Sequence, residues 1–174
     1  VGSVLTKTLV GPFVRHQHAH YDETDCIFEL FKGALHGQVM IDVGAHHGWA
    51  HAPFLDRDWC IFAFEPDNQN RTKLLDRLAK HKNKHLVSLD PRCVSNKSQK
   101  GVSFFTSEQS TGISGLSAFH ETHIEAQTVD LVTLTEFFKD KPLRAVDFLK
   151  IDTEGHDLFV LNGFPWNRCM PAVI

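Results

Sequence analysis

The stretch MIDVGAHHGWA at residues 40–50 decides how the rest of the chain is interpreted. A short apolar run ends on Asp42, and two glycines, Gly44 and Gly48, follow within the next six residues. Such a run is typical of a strand that is buried on both faces of a parallel sheet. Gly44 lets the backbone turn sharply and lets a ligand approach, and Gly48 permits close packing where the next helix begins. The stretch therefore predicts a strand, a ligand-binding turn and a helix.

Two further apolar runs end on acids in the same way. CIFAFEP at residues 60–66 ends on Glu65, and AVDFLKIDTEG at residues 145–155 ends on Asp152 and Glu154. Both runs are predicted to be buried strands, because nearly continuous apolar sequence bounded by polar turns is typical of parallel sheets. The chain thus repeats one arrangement, a buried strand followed by carboxylates.

Helical patterns alternate with these strands. The predicted helices are DETDCIFELFKGALHG (22–37), DNQNRTKLLDRLAKH (67–81), a segment opened by the capping-box pair Thr133 and Glu136, and HDLFVLNGF (156–164). A third strand, HLVSLD (85–90), ends on Asp90. This alternation indicates an α/β fold with a doubly wound, mainly parallel sheet. Ligands of such sheets bind at the carboxyl ends of the strands, near the point where the strand order reverses.

The segment after the third strand has a different pattern. GVSFFTSEQSTGISGLSAF at residues 101–119 is typical of a strand that leads into a long loop. AQTVDLVTL at residues 126–134 is predicted to be its partner strand. We therefore expect a β insertion between the third and fourth core strands of the sheet.

Composition restricts the class of protein. The 174 residues, 42% apolar and 22% charged, fit a single domain spanning residues 1–174. A net charge of −3 disfavours binding to nucleic acid or anionic membranes, and no apolar run approaches the ~20 residues of a membrane helix. Four widely spaced cysteines are expected to be buried free thiols, which favours a cytoplasmic location. The missing initiator Met and the final PAVI lead us to expect part of a longer chain.

The acids at the strand ends restrict the ligand. A phosphate-binding turn needs exposed amides and a positive potential, so Asp42 disfavours phosphate and favours a cationic group. The turn also lacks the glycine spacing of dinucleotide-binding folds and of the P-loop. Glu65 stands where an acid accepts hydrogen bonds from the ribose hydroxyls of an adenosine. Asp42 suits a cationic amine, Glu65 suits a ribose, and the turn after the first strand has no phosphate-binding pattern. These three features together indicate S-adenosylmethionine.

Asp152 and Glu154 are the candidate catalytic residues. In a parallel sheet Asp152 lies beside the turn of the first strand, and the preceding Lys150 can pair with an acid or sit at the rim. If the reaction transfers a group to a hydroxyl, which is a poor nucleophile at neutral pH, either carboxylate could act as the base that takes the hydroxyl proton. The alternative is that Asp152 only binds the cofactor and Glu154 only stabilises the start of the next helix.

Five segments carry a family resemblance: MIDVGAHHGWA, FAFEPDNQNRTKLLDRL, SFFTSEQSTGISGL, VTLTEFF and VDFLKIDTEGHDLFVLNGF. From about residue 38 to residue 164 the chain resembles the FkbM-type S-adenosylmethionine-dependent methyltransferases, in the motif order of that family. The resemblance implies a Rossmann-like methyltransferase fold and methyl transfer to oxygen, often a hydroxyl of a sugar or natural product. The chain departs from the family pattern at Asp157, where Glu is more usual, and at His46 and His47, where Asn is commoner.

The resemblance implies a site with S-adenosylmethionine as the cofactor and a hydroxyl of a small molecule or glycan as the acceptor, and no metal is predicted. It places Asp42, Gly44 and Gly48 on the methionine side of the cofactor and Glu65 on the ribose. The predicted cofactor-binding residues are Asp42, Gly44, Ala45, His46, Gly48, Glu65, Pro66, Asp90 and Asp152. Two alternatives are a nicotinamide-dependent oxidoreductase on a similar sheet and a degenerate, non-catalytic methyltransferase domain.

Overall fold

The computed structural model describes residues 23–33, 38–107, 112, 114–118, 120–141 and 143–174. The chain divides into two compact units, residues 1–33 and residues 34–174. The described part of the first unit is the helix α1 (Glu23–Leu30), which confirms the first part of the helix predicted at 22–37. Residues 34–37 of that helix lie outside the described residues. The single domain over residues 1–174 stays a prediction.

The second unit follows the predicted alternation of strands and helices. Its elements are β1 (Val39–Val43), α2 (Ala52–Leu55), β2 (Cys60–Phe64), α3 (Asn68–Ala79), β3 (Val87–Asp90), β4 (Cys93–Val94), β5 (Gln99–Thr106), β6 (Ile124–Val132), α4 (Leu134–Asp140), β7 (Phe148–Ile151) and α5 (Asp157–Asn162). The main sheet has the strand order β3-β2-β1-β7, and every pair in it is parallel. The strand order reverses between β1 and β7, so a ligand is expected at the carboxyl ends of these two strands.

The register of the main sheet decides which side chains reach that edge. Asp42 pairs with Ala63 of β2 and with Lys150 of β7. Residues paired across neighbouring strands share one face of the sheet, so the side chains of Asp42 and Lys150 are adjacent. Gly44 and Glu65 follow the last residues of β1 and β2, and Asp152 follows the last residue of β7. These three positions form the row beyond the ends of the strands.

The helices α3 and α4 begin where the sequence predicts, whereas α1 ends at Leu30, earlier than predicted. The side chain of Asp67 accepts hydrogen bonds from the backbone amides of Gln69 and Asn70 at 2.7 and 3.1 Å, which caps α3. The hydroxyl of Thr133 accepts from the Glu136 amide at 2.9 Å and caps α4. These two helices follow β2 and β6 directly, and the short loop before α3 carries part of the candidate site.

The hydrophobic core lies between the main sheet and the helices beside it. It contains strand residues and the aromatic side chains of α4 and the segment after α5: Ile41, Val43, Phe62, Phe64, Leu149, Phe137, Phe138 and Phe164. Because a fully buried strand side chain contributes roughly 1.5–3 kcal/mol, this packing holds the strand ends rigidly. Rigid strand ends are the support that a binding site needs.

The chain between β3 and β7 forms a second sheet with the order β4-β6-β5. β5 and β6 pair antiparallel, as expected of the partner strands predicted from 101–119 and 126–134. A small core of Cys93, Phe104, Val129 and Leu131 holds this sheet together. Two side chains attach it to the loop after β2: Gln127 Nε2 donates to Pro66 O at 2.6 Å, and Ser114 Oγ donates to Asp67 Oδ2 at 3.3 Å.

The four cysteines are free, as predicted. Cys93 and Cys169 are buried, whereas Cys26 and Cys60 are partly exposed. Among the described helices, none has the length and apolar character to cross a bilayer. Within the same residues, no group of three or more histidine, cysteine or carboxylate side chains is arranged to hold a metal ion.

Candidate functional site

A cavity of about 280 Å³ opens at the carboxyl edge of the main sheet. This is close to the lower bound of roughly 300 Å³ for small-molecule sites. Its walls come from the loops after β1, β2 and β7, from β4 and β5, and from the segment near residue 115. Seven predicted site residues line it: Gly44, Ala45, His46, Glu65, Pro66, Asp152 and Glu154. Asp42, Gly48 and Asp90 do not line it.

Glu65 is held in the cavity wall by its own neighbourhood. Oε2 accepts a hydrogen bond from the His46 amide at 2.7 Å, and Oε1 accepts one from the Asp67 amide at 2.9 Å. The Asn70 side chain adds a third hydrogen bond. Burial raises the pKa of Glu65 from 4.5 to about 7, although the three hydrogen bonds favour the ionised form. A carboxylate has about four acceptor positions, so Glu65 can accept a further donor from the cavity.

Asp42 lies beneath the cavity and not in its wall, which corrects the prediction that it contacts the ligand. The carboxylate is fully buried. Oδ2 lies 2.8 Å from His51 Nδ1, and Oδ1 lies 3.1 Å from Lys150 Nζ. Burial alone would raise the pKa of Asp42, but the His51 hydrogen bond and the Lys150 ammonium outweigh it and lower that pKa. The cationic partners that the sequence implies for Asp42 are therefore supplied by the protein itself.

Lys150 connects this buried pair to the cavity. Its ammonium donates to Gly44 O at 2.6 Å and lies 3.1 Å from Asp42 Oδ1. Asp152 Oδ2 lies 3.8 Å away, beyond hydrogen-bonding distance. The side chain is 17% exposed and lines the cavity. Lys150 therefore presents its ammonium to the cavity. The sequence left open whether this lysine pairs with an acid or lies at the rim, and in the structure it pairs with Asp42 and also lines the cavity.

The loop after β7 exposes the two candidate catalytic carboxylates. The Asp152 side chain is 68% exposed, and Glu154 has a left-handed backbone with φ 52°. Thr153 fixes the loop by donating from its amide and its hydroxyl to Asp157 Oδ1 at 2.9 and 2.5 Å. Asp157, the position at which the family pattern more usually has glutamate, thus has a structural role in this loop. A strained backbone that is held this firmly is a common feature of functional sites.

Gly44 is required for a reason that the sequence did not suggest. Its φ is +78°, and a Cβ at this position would lie 1.9 Å from the Asp152 carbonyl oxygen. The turn after β1 therefore packs against the end of β7, and the absence of a side chain at Gly44 permits that contact. Gly48 serves the predicted close packing, since a Cβ there would lie 2.8 Å from His51 Nε2.

Asp90 is also removed from the cavity. Its carboxylate binds the Arg92 guanidinium at 2.6 to 3.2 Å and accepts from the Arg92 amide at 2.9 Å. Arg92 itself lines the cavity. The predicted ligand contact of Asp90 is therefore corrected to a structural pair in which the arginine, and not the acid, faces the ligand space.

Residues 42–174 match the family model described as the methyltransferase FkbM domain. The chain belongs to the FkbM methyltransferase family. The match covers the three strand ends and the whole cavity wall, and it confirms the family that the sequence motifs indicate. S-adenosylmethionine, the predicted cofactor, is consistent with membership of this family.

Solved structures give more distant similarities to this FkbM-domain chain. The methyltransferase FkbM from Methylobacillus flagellatus KT is 18% identical, with a TM-score of 0.49, over 76% of this chain and 31% of that one. The glycopeptide N-methyltransferase MtfA is 22% identical, with a TM-score of 0.35, over 41% and 35%. Its complex with S-adenosyl-L-methionine is 27% identical, with a TM-score of 0.32, over 40% and 30%. The chain thus spans about a third of the length of these proteins. No curated protein sequence matches it.

Several cavity residues of the FkbM domain escaped the sequence analysis. Among them are Trp49, Arg92 and His156. The Trp49 side chain is 67% exposed, and the Arg77 guanidinium carbon lies 3.2 Å from its ring centroid. His156 Nε2 lies 3.0 Å from Ser95 Oγ, and burial lowers the pKa of the imidazole. Only the position of His156, directly after the Asp152–Gly155 loop, could have indicated a site residue from the sequence.

His46 lines the FkbM cavity at the turn after β1. Its φ is 50°, and its ring stacks on that of His47 with a centroid distance of 3.7 Å. Burial and the charges of His47 and Lys73 lower the pKa of His46, so the ring is mainly neutral at pH 7. His47 Nε2 lies 3.1 Å from Asn70 Oδ1, and Asn70 in turn holds Glu65. The unusual histidine pair therefore supports the carboxylate in the cavity wall.

Proposed function

We propose that this chain is the cofactor-binding part of an S-adenosylmethionine-dependent methyltransferase. Its acceptor in this proposal is a hydroxyl of a sugar, a glycan or another small metabolite. One observation carries the proposal: in a chain of the FkbM family, Gly44, Glu65 and Asp152 follow three neighbouring parallel strands and line one cavity. Ligands of open α/β sheets bind at this position. A cytoplasmic location for the protein remains a prediction.

The chemistry of the cavity fits the parts of that cofactor. Glu65 offers carboxylate oxygens for the ribose hydroxyls, because a carboxylate accepts hydrogen bonds and two hydroxyls donate them. Val94, Phe104 and Leu116 line the same cavity and offer an apolar surface for the base. The first turn lacks the glycine spacing with which dinucleotide-binding folds bind a pyrophosphate. A nucleoside without phosphate therefore suits this wall better than NAD does.

S-adenosylmethionine, when bound, supplies an electrophilic methyl group on a sulfonium. The residues of this chain would bind and orient the reactants, and positioning of that kind can contribute roughly 7–11 kcal/mol. The acceptor hydroxyl also has to lose its proton. Asp152 or Glu154, both in the cavity wall, would take that proton, which commonly accelerates such a step by about 10²–10⁴-fold.

Ligand binding is the first experiment. S-adenosylhomocysteine and NAD would each be added to the protein in a thermal unfolding assay. We expect S-adenosylhomocysteine to stabilise the fold, by about 2.7 kcal/mol at a concentration of about 100 times its Kd. Stabilisation by NAD with no effect of S-adenosylhomocysteine would instead support a nicotinamide-dependent oxidoreductase and would overturn the proposal.

Methyl transfer is the second experiment. The protein would be incubated with methyl-labelled S-adenosylmethionine and a panel of sugars, glycosides and amines, and the labelled products would be identified by mass spectrometry. We expect the product to be a methyl ether. An N-methyl product would show that the acceptor is an amine and not a hydroxyl. Asp152→Asn and Glu154→Gln would be compared under the same conditions. Full activity in both variants would exclude them as the proton acceptor, whereas a loss of about 10²–10⁴-fold in one would identify it.

A further inference from the structure

We propose that Lys150 and Asp152 form a matched charge pair that recognises the amino-acid end of the cofactor. The Lys150 ammonium would bind the α-carboxylate, and the Asp152 carboxylate would bind the α-ammonium. The inference rests on the proposed function, because it concerns the same cavity. It also reassigns the cationic group of the ligand from Asp42, which is buried, to Asp152, which is exposed.

The position of the two charges carries the first step of the argument. Lys150 Nζ and Asp152 Oδ2 are 3.8 Å apart, and both side chains line the cavity. An α-amino acid also carries opposite charges on neighbouring groups. A wall with one positive and one negative group therefore complements a zwitterion, and it disfavours a ligand that carries only one of the two charges.

The supports of Lys150 carry the second step. The ammonium is anchored by Gly44 O at 2.6 Å and by the charge of Asp42 at 3.1 Å. An ammonium has three N–H donors, and these two contacts leave donor capacity on the cavity side of the group. The Asp42 carboxylate, itself fixed by His51 at 2.8 Å, holds the lysine in place. A preorganised charge loses little entropy when the ligand binds.

The contrast in burial carries the third step. Asp42 has no exposed surface, and its oxygens already face His51 and Lys150. The Asp152 side chain, by contrast, is 68% exposed and shares a cavity with Glu65. Asp42, Lys150 and Asp152 together carry one net negative charge, which complements the net positive charge of S-adenosylmethionine. If Asp152 holds the ammonium, Glu154 is the carboxylate left to accept the proton.

The test compares ligands on the unmodified protein by calorimetry. The ligands are S-adenosylhomocysteine, its decarboxylated analogue, its deaminated analogue and methylthioadenosine, which lacks the whole amino-acid end. We expect each single deletion to weaken binding by roughly 10- to 100-fold, since each removes a hydrogen bond to a charged group. Equal affinities for all four ligands would overturn the inference while leaving the proposed function intact. Binding of none of them would overturn both.

Variants then assign each charge to its residue. Asp152→Asn should weaken S-adenosylhomocysteine but leave the affinity for the deaminated analogue unchanged. Lys150→Met should weaken S-adenosylhomocysteine but leave the affinity for the decarboxylated analogue unchanged. If Lys150→Met does not fold, because Asp42 loses its buried partner, the analogue series and Asp152→Asn decide the matter without it. Asp76→Asn, an exposed acid on α3, is the control for a general effect of charge. Equal losses for both ligands in Asp152→Asn would overturn the assignment of Asp152.

Discussion

The ends of β1 and β2 carry the same kind of side chain and use it differently. Asp42, near the end of β1, has no exposed surface and is paired with His51 and Lys150. Glu65, directly after β2, is only 5% exposed but lines the cavity. Burial raises the pKa of Glu65, whereas paired charges lower the pKa of Asp42. Two acids on neighbouring strands therefore differ in whether a ligand can reach them.

The difference comes from register. Asp42 pairs with Ala63, so it lies one row inside the last paired residues of β1 and β2, Val43 and Phe64. Glu65 lies one row beyond that pair. At 3.3 Å per residue the two acids are about two rows apart along the strand direction. Asp42, in the inner row, is covered by protein, whereas Glu65, in the outer row, meets the cavity. The first acid therefore stabilises the fold, and the second is available to a ligand.

The strongest test of this comparison removes the inner acid. Asp42→Ala should destabilise the protein by roughly 3–5 kcal/mol, because it leaves the buried His51 and the Lys150 ammonium without their partner. Urea unfolding of both proteins measures the loss. The matched control is Asp56→Ala, which removes an aspartate–histidine pair of 2.9 Å to His81 on the surface, where about 0–1 kcal/mol is expected. Similar losses of stability in the two variants would contradict the claim that the buried pairing of Asp42 stabilises the fold more than a surface pair does.

The second test adds one methyl group to the outer row, the row of Gly44, Glu65 and Asp152 that borders the cavity. Gly44→Ala should cost about 2–5 kcal/mol, since it combines a left-handed backbone with a Cβ that would lie 1.9 Å from Asp152 O. It should also weaken S-adenosylhomocysteine binding by moving the end of β7. Gly101→Ala is the control, because Gly101 has φ +64° but nothing within 4 Å of a Cβ. Gly101→Ala should lose only the stability that a left-handed backbone costs, whereas Gly44→Ala should also lose stability through the clash with Asp152 O. Thermal unfolding measures both losses, and equal losses would contradict the close packing of Gly44 against Asp152.

The two acids should give opposite pH dependence of stability. Glu65 has a raised pKa in the folded protein, so its contribution is complete below pH 4.5 and is lost as the pH rises through about 7. The loss amounts to roughly 3 kcal/mol. Asp42 has a lowered pKa, so its contribution is present above pH 3.8 and is lost as the pH falls. The free energy of unfolding of the wild type minus that of Glu65→Ala should decrease between these pH values, and a constant difference would contradict the burial of Glu65.

The smallest expected effect concerns the outer acid and the ligand. Glu65→Ala should weaken S-adenosylhomocysteine binding by roughly 10- to 100-fold, because hydrogen bonds to a charged group are lost. Since hydroxyl donors bind the ionised carboxylate, wild-type affinity should rise as the pH passes through about 7. The variant should lose that rise. Calorimetry across this pH range measures both effects, with the exposed Glu121→Ala as the control. Unchanged affinity in Glu65→Ala would refute its role on the ribose.

The sequence by itself determined the family and the order of the elements. Apolar runs that end on acids identified β1, β2 and β7. The helical pattern of residues 67–81 and the capping-box pair Thr133 and Glu136 located two helices, because burial and capping act over a few neighbouring residues. It also identified Glu65 and Asp152 as residues at the ends of strands. These signals are local, so they can be recognised without knowing which strands are neighbours.

Only the tertiary structure decided which acids face the cavity. Register places Asp42 beside Lys150 and buries it, and it brings Glu65 and Asp152 to one edge. The structure also assigned Asp90 to Arg92 and explained Gly44 by its contact with Asp152. The physical reason is that charge pairing depends on distances of about 3 Å between residues far apart in the chain. A pattern of residue types along one strand does not contain the register of its neighbour, and that register sets those distances.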